Sequence, residues 1–84
     1  MNYLKKLTCV DDYLKERGYS LDSFYAVSIG NYNLTLYGEI KDINPVKLES
    51  RHIAMWDSDE RIFHKFIFDV AKVEVILILS TEKV

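Results

Sequence analysis

The spacing of apolar residues changes once along this chain, and that change restricts the fold more than any other feature. Before Gly18 the apolar side chains recur at steps of three and four residues, which is the spacing of a helix with one buried side. From Phe24 onward they alternate with polar residues and are rich in β-branched and aromatic types, as in half-buried strands. A chain of 84 residues can build one hydrophobic core and is too short for two. The sequence therefore predicts a single small α+β domain over residues 1–84.

The helix is predicted over residues 2–17. Its buried side would carry Leu4, Leu7, Val10 and Leu14. Gly18 can adopt the left-handed backbone conformation that ends a helix, and Lys15 and Arg17 would complement the negative end of the helix dipole. We therefore expect one N-terminal helix that stops at Gly18.

Five strands are predicted over residues 23–29, 34–40, 46–56, 62–70 and 72–80. The stretch from Gly30 to Asn33 offers residues that tolerate positive φ in a tight hairpin. Asn44-Pro45 marks the clearest break, since proline lacks an amide donor and disfavours helix at the residue before it. Short connections between consecutive strands predict a mostly antiparallel five-stranded β-meander with the helix packed on it.

The register of the third and fourth predicted strands depends on the length of the turn between them, because a shift of one residue exchanges the two faces of a strand. An odd loop such as residues 57–59 produces one coherent, mostly apolar face, and we favour it for that reason. That face would carry Leu48, His52, Ala54, Trp56, Ile62, His64, Phe66 and Phe68. His52 and His64 would then be neighbours on adjacent strands.

The opposite face of this sheet is too apolar for open solvent, and one helix cannot cover both sides. Either the face binds a partner or a second copy of the chain, or a strongly curled sheet folds over it and buries it. We favour an interaction surface with apolar anchors at its centre and basic residues at its rim. The predicted partner-binding residues are Arg51, Ile53, Met55, Arg61, Phe63, Lys65 and Ile67.

No group of residues in the sequence predicts a catalytic, metal-binding or phosphate-binding site. His52 and His64 supply two ligands, whereas zinc sites use three or four protein ligands. Cys9 is expected to be a small buried apolar residue, and the acidic turn at residues 57–60 lacks the glycine and the distal glutamate of a calcium loop. The glycines are isolated, so no phosphate-binding loop is present. We expect no catalytic residue, no cofactor and no metal.

Charge, cysteine content and the length of apolar runs indicate where in the cell the protein is expected. Eleven basic and thirteen acidic side chains are interspersed, with no basic stripe of the kind that binds phosphates. Cys9 is the only cysteine, and the first residues lack the apolar core of a signal peptide. The longest apolar run, residues 75–79, is far shorter than the ~20 residues that span a bilayer. We therefore expect a soluble, cytoplasmic protein that does not enter membranes.

These observations favour a small non-enzymatic protein-interaction module that binds a larger protein or forms a homodimer. One alternative is a phage or mobile-element inhibitor of a host nucleic-acid-targeting defence complex, acting through an acidic, tyrosine-rich surface. A second alternative is a binder of single-stranded nucleic acid that stacks bases on tyrosine rings. The balanced charge makes nucleic acid the weaker expectation.

Overall fold

The computed structural model describes residues 2–83 and contains one α-helix and a five-stranded sheet there. The helix α1 spans Tyr3–Lys15, and a short 3-10 turn follows at Leu21–Ser23. The strands are β1 (Ala26–Ile29), β2 (Asn33–Glu39), β3 (Arg51–Asp57), β4 (Arg61–Val70) and β5 (Val73–Glu82). The predicted α+β class and the mostly antiparallel sheet are confirmed.

The predicted helix is present, slightly shorter than expected, and Gly18 follows its end. Val10 and Leu14 are buried as expected, but Leu4 is 73% exposed and does not belong to the buried side. Asn2 caps the N-terminus by accepting a 2.8 Å hydrogen bond from the backbone N–H of Lys5. After the C-terminus the chain turns at Gly18, which has a φ of 87°, and the N–H of Tyr19 donates to the carbonyl of Leu14 at 2.9 Å. This is the hydrogen-bond pattern of a Schellman motif. No helix within residues 2–83 is long and apolar enough to cross a bilayer.

The predicted meander is wrong, because the strand order is β1-β2-β5-β4-β3. β5 lies in the centre of the sheet, where it pairs parallel to β2 and antiparallel to β4. β3 is therefore an edge strand. The connection over residues 40–50 takes the chain from β2 to the far edge, and it is much longer than the two to five residues of a hairpin loop. It also contributes Ile43 and Leu48 to the core, with exposures of 1% and 0%.

The sequence predicted that the third strand begins at residue 46, but β3 begins at Arg51. Asn44 starts a helical turn: its side chain accepts a 3.0 Å hydrogen bond from the N–H of Val46, and the N–H of Leu48 donates to the carbonyl of Pro45. Proline suits the first position of such a turn because its own N–H is not needed there. Asn44-Pro45 is therefore a turn-initiating pair rather than the start of a strand. The first strand is also shorter than predicted, since residues 21–23 form the 3-10 turn.

The helix α1, the segment over residues 19–24 and the connection over residues 40–50 pack against one face of the sheet, which we call the helix face. Tyr13 of α1 stacks on Phe68 of β4 with ring centroids 5.4 Å apart, and its hydroxyl donates a 2.8 Å hydrogen bond to the carbonyl of Leu48. Phe24 and Ile43 reach the same face at Gly38 of β2. The fully buried residues of this core are Val10, Leu14, Leu34, Leu36, Ile43, Leu48, Val75, Leu77 and Leu79.

The predicted register between the third and fourth strands is wrong near the turn and right beyond it. Asp57 pairs with Ile62 and Trp56 with Phe63, so the turn has an even length. A β-bulge at Ile53 then adds one residue to β3, and past it His52 pairs with Phe66. The bulge exchanges the faces of the strand. Ala54 and Trp56 consequently lie on the face opposite α1, contrary to the prediction, while His52 lies on the helix face as predicted.

Candidate interaction surface

The sheet face opposite α1 has no second layer among the described residues, and we call it the open face. Strand register defines the three rows of residues that run across its centre from β2 to β3. The rows are Glu39-Ser80-Phe63-Trp56, Tyr37-Ile78-Lys65-Ala54 and Thr35-Ile76-Ile67-Arg51. Every residue of these rows except Ser80 keeps solvent contact, so the sheet does not curl over to bury this face.

The centre of the open face is apolar and partly exposed to solvent. Ile76 and Ile78 of β5 lie beside Ile67 of β4, and all three side chains retain solvent contact. Trp56 stacks on Phe63 with ring centroids 5.5 Å apart and an interplanar angle of 12°. Trp56 remains 42% exposed in spite of this contact. Aromatic and aliphatic side chains grouped in this way are typical of the centre of a protein–protein interface.

Charged residues of both signs surround this apolar centre. Arg51 and Lys65 lie towards β3, and Glu74 pairs with Asp69 at the end of the sheet near the β4–β5 turn. Because the register places these residues on the same face as Ile67 and Ile76, the open face carries a basic side and an acidic end.

Arg61 is the centre of a polar network at the other end of the open face. Its guanidinium donates to Ser80 Oγ at 2.9 Å from Nη2, and it lies 3.6 Å from a carboxylate oxygen of Glu39 and 3.8 Å from one of Glu82. Ser80 is only 2% exposed under this side chain. Glu39 also binds Lys41 at 3.1 Å, and this contact raises the pKa of Lys41. Arg61 is therefore held in place by its neighbours.

The structure brings together five of the seven residues predicted to bind a partner. Arg51, Arg61, Phe63, Lys65 and Ile67 all lie on the open face. The other two predicted residues, Ile53 and Met55, do not lie on the open face. Ile53 is the extra residue of the bulge, and Met55 pairs with His64 on the helix face because the bulge exchanges the faces of β3.

Trp56 and Tyr37 are residues of the open face that the predicted set lacks. Trp56 was assigned to the helix face by the odd-loop register, and no sequence pattern marks the bulge at Ile53 that corrects it. Tyr37 could have been included from the alternation of β2 alone, since it follows the buried Leu36. Its ring lies 6.4 Å from that of Tyr25, which is 65% exposed.

The tyrosines do not gather on one acidic surface. Tyr25 lies in a groove with Asp22 and Glu39, whereas Tyr32 adjoins Lys6 and Lys72 at the other end of the molecule. Lys6 itself is only 7% exposed. The ammonium group of Lys6 donates to the backbone carbonyl of residue 31 at 2.7 Å.

His52 and His64 are in contact, as the sequence predicted for neighbours on adjacent strands. His52 Nε2 lies 3.1 Å from His64 Nδ1, and His52 packs edge-on against Phe66 with ring centroids 5.1 Å apart. His52 is exposed and His64 partly exposed. Cys9 packs against the core as expected, but it is only partly buried. No third histidine, cysteine or carboxylate joins the two histidines in the described part of the chain.

Comparison of the chain with protein-family models, curated proteins and solved structures finds no match in any of the three. The open face and the histidine pair are therefore interpreted from their own geometry.

Proposed function

We propose that this protein is a non-enzymatic interaction domain that binds through the open face of its sheet, and that the surface it binds is the open face of a second copy. The observation that carries the proposal is the partly exposed apolar centre, formed by Ile67, Ile76 and Ile78 with the Trp56–Phe63 stack. Soluble monomers rarely leave such a group of neighbouring apolar side chains uncovered.

The charges of the open face support self-association. A face that carries Arg51 and Lys65 on one side and Asp69 and Glu74 at one end is complementary to a surface with both signs of charge. A second copy of the same face is such a surface. Twofold symmetry would apply the same contacts twice, as in most homodimers.

The two edges of the sheet are weaker candidates for the same purpose. β1, at one side, is only four residues long, and very short edge strands limit pairing with another chain. β3 ends the sheet at the other side, but it contains the bulge at Ile53 and carries charged residues at both ends, Arg51 and Asp57. Bulges and charges are the features by which sheets avoid edge-to-edge pairing. Face-to-face packing of two sheets, with layers about 10 Å apart, does not need an open edge.

The size of the open face is of the same order as one side of a stable protein–protein interface. Five strands spaced about 4.8 Å apart and about seven residues long cover roughly 550 Å² in projection. The accessible area is larger because the side chains project from the sheet. A typical stable interface buries about 800 Å² on each partner.

The test is the solution mass measured by light scattering over a concentration series. We expect a mass of twice the 9.9 kDa chain at high concentration. Phe63→Glu should produce the monomer mass with an unchanged far-UV circular dichroism spectrum, because it places a charge at the centre of the interface. Val46→Glu is the matched control: Val46 is 79% exposed and lies outside the open face, so this variant should dimerise normally.

Phe63 is only partly exposed, so its variant could lose stability for reasons unrelated to binding. Trp56→Glu replaces a more exposed side chain of the same stack and separates the two effects. A monomeric wild type at millimolar concentration would refute self-association and assign the face to a different protein. A dimer that persists in folded Trp56→Glu and Phe63→Glu would show that the interface lies elsewhere.

A further inference from the structure

We propose that His52 Nε2 and His64 Nδ1 together bind one divalent transition-metal ion of the kind that prefers imidazole, such as Zn²⁺ or Cu²⁺. This site lies on the helix face of the sheet beside the β3 edge, so it is independent of the open face. The two nitrogen atoms are 3.1 Å apart.

The distance between the nitrogens is close to the one that a shared metal ion needs. Zinc binds histidine nitrogen at about 2.0–2.1 Å, and at a tetrahedral angle two such ligands are separated by about 3.3 Å. The rings would need to move apart by only a few tenths of an ångström and rotate so that both lone pairs converge. In the metal-free protein, one ring N–H donates to the other ring nitrogen. On metal binding the donating ring changes tautomer: solvent takes the proton from the nitrogen that faces the metal and supplies one to the other nitrogen of the same ring, so that both rings stay neutral and both facing nitrogens offer a lone pair.

The backbone places the two rings before any metal arrives. The two histidines lie on the neighbouring antiparallel strands β3 and β4, and the bulge at Ile53 brings His52 onto the same face as His64. Both rings also pack beside Phe66, with centroids 5.1 Å away for His52 and 6.3 Å for His64. A pair of ligands held in this way loses little conformational entropy on binding.

The environment of the pair determines which ions it would accept. The ligands are two neutral imidazoles, which suit zinc, copper and nickel and are poor ligands for magnesium and calcium. His52 is exposed, so water can complete the coordination. With two protein ligands, the site would exchange metal readily and would not act as a structural zinc site, which uses four.

The experiment compares thermal unfolding of the untagged protein with 1 mM ZnCl₂ and with 1 mM MgCl₂. A metal ion that binds only the folded state, and whose concentration is several times its Kd, should raise the Tm by about 4 °C or more for a chain of this size. We expect the shift with Zn²⁺ and not with Mg²⁺. Cys9→Ser is the control for binding to the thiol and should keep the full shift, because within residues 2–83 Cys9 does not join the two histidines in a metal-ligating group.

Single substitutions distinguish chelation from two independent weak sites. His52→Gln and His64→Gln should each abolish the Zn²⁺ shift, since a chelate needs both nitrogens. His52→Gln is the safer variant because the ring is exposed. Calorimetric titration should show one Zn²⁺ per chain in the wild type. The proposal is overturned if Zn²⁺ and Mg²⁺ act alike, or if either single variant keeps about half of the binding.

Discussion

The β4–β5 turn holds two non-glycine residues in a backbone conformation that L-amino acids adopt at a cost. Ala71 has a φ of 47° and Lys72 a φ of 68°, and they form the two-residue loop between the paired Val70 and Val73. Two positive φ values in a two-residue hairpin loop define a type I′ turn, for which Asn-Gly is the preferred sequence. Substituting Lys72→Gly should therefore stabilise the protein.

The expected gain can be estimated from two opposing effects. The left-handed conformation costs an ordinary L-residue about 1–2 kcal/mol, and glycine avoids this cost. Glycine also has more freedom in the unfolded chain, which subtracts about 0.5–1 kcal/mol. The net stabilisation is then on the order of 0.5–1 kcal/mol, which corresponds to a rise in Tm of about 2–8 °C for a domain of this size.

Urea unfolding followed by circular dichroism measures this change, with the midpoint moving to higher urea and the slope unchanged. Lys65→Gly is the matched control, since it makes the same replacement inside β4, where φ is not positive. Glycine within a strand should destabilise the protein by about 0.5–1 kcal/mol. If Lys72→Gly is neutral or destabilises as Lys65→Gly does, the reasoning from backbone strain is wrong.

Two further predictions concern the core and the α1 helix. Gly38→Ala should destabilise the protein by about 1 kcal/mol in urea unfolding, because its Cβ would lie 3.0 Å from Phe24 Cδ1; equal or greater stability would mean that the ring moves aside freely. The hydrogen bond from Lys15 and then that from the N–H of Leu21 lower the pKa of Asp11. The stability that Asp11 contributes is present above the unfolded-state pKa of about 4 and is lost as the pH falls through its lower folded-state pKa. Asp11→Asn should flatten this part of the curve of Tm against pH, and an unchanged curve would contradict the role given to Asp11.

The sequence alone was sufficient to predict the helix and the approximate positions of the strands. Periodicity is a local property, and the helical spacing before Gly18 and the alternation in residues 72–80 depend only on which side of each element is buried. The stop at Gly18 was equally local, since a left-handed residue after a helix favours glycine. The same alternation along β4 and β5 also predicted that their second face is apolar, from Phe63, Ile67 and their neighbours.

Strand order and the exact faces of β3 were decided by tertiary structure. Periodicity shows which side of a strand is buried but not which strand it pairs with. β5 occupies the centre because its alternate residues from Val73 to Leu79 bury well between two neighbours, while β3 is mostly exposed and lies at the edge. The bulge at Ile53 depends on how β3 fits β4 and has no signature in the residues themselves. For that reason the sequence predicts that an apolar face remains for a partner, and only the folded sheet determines that Trp56 belongs to it and Met55 does not.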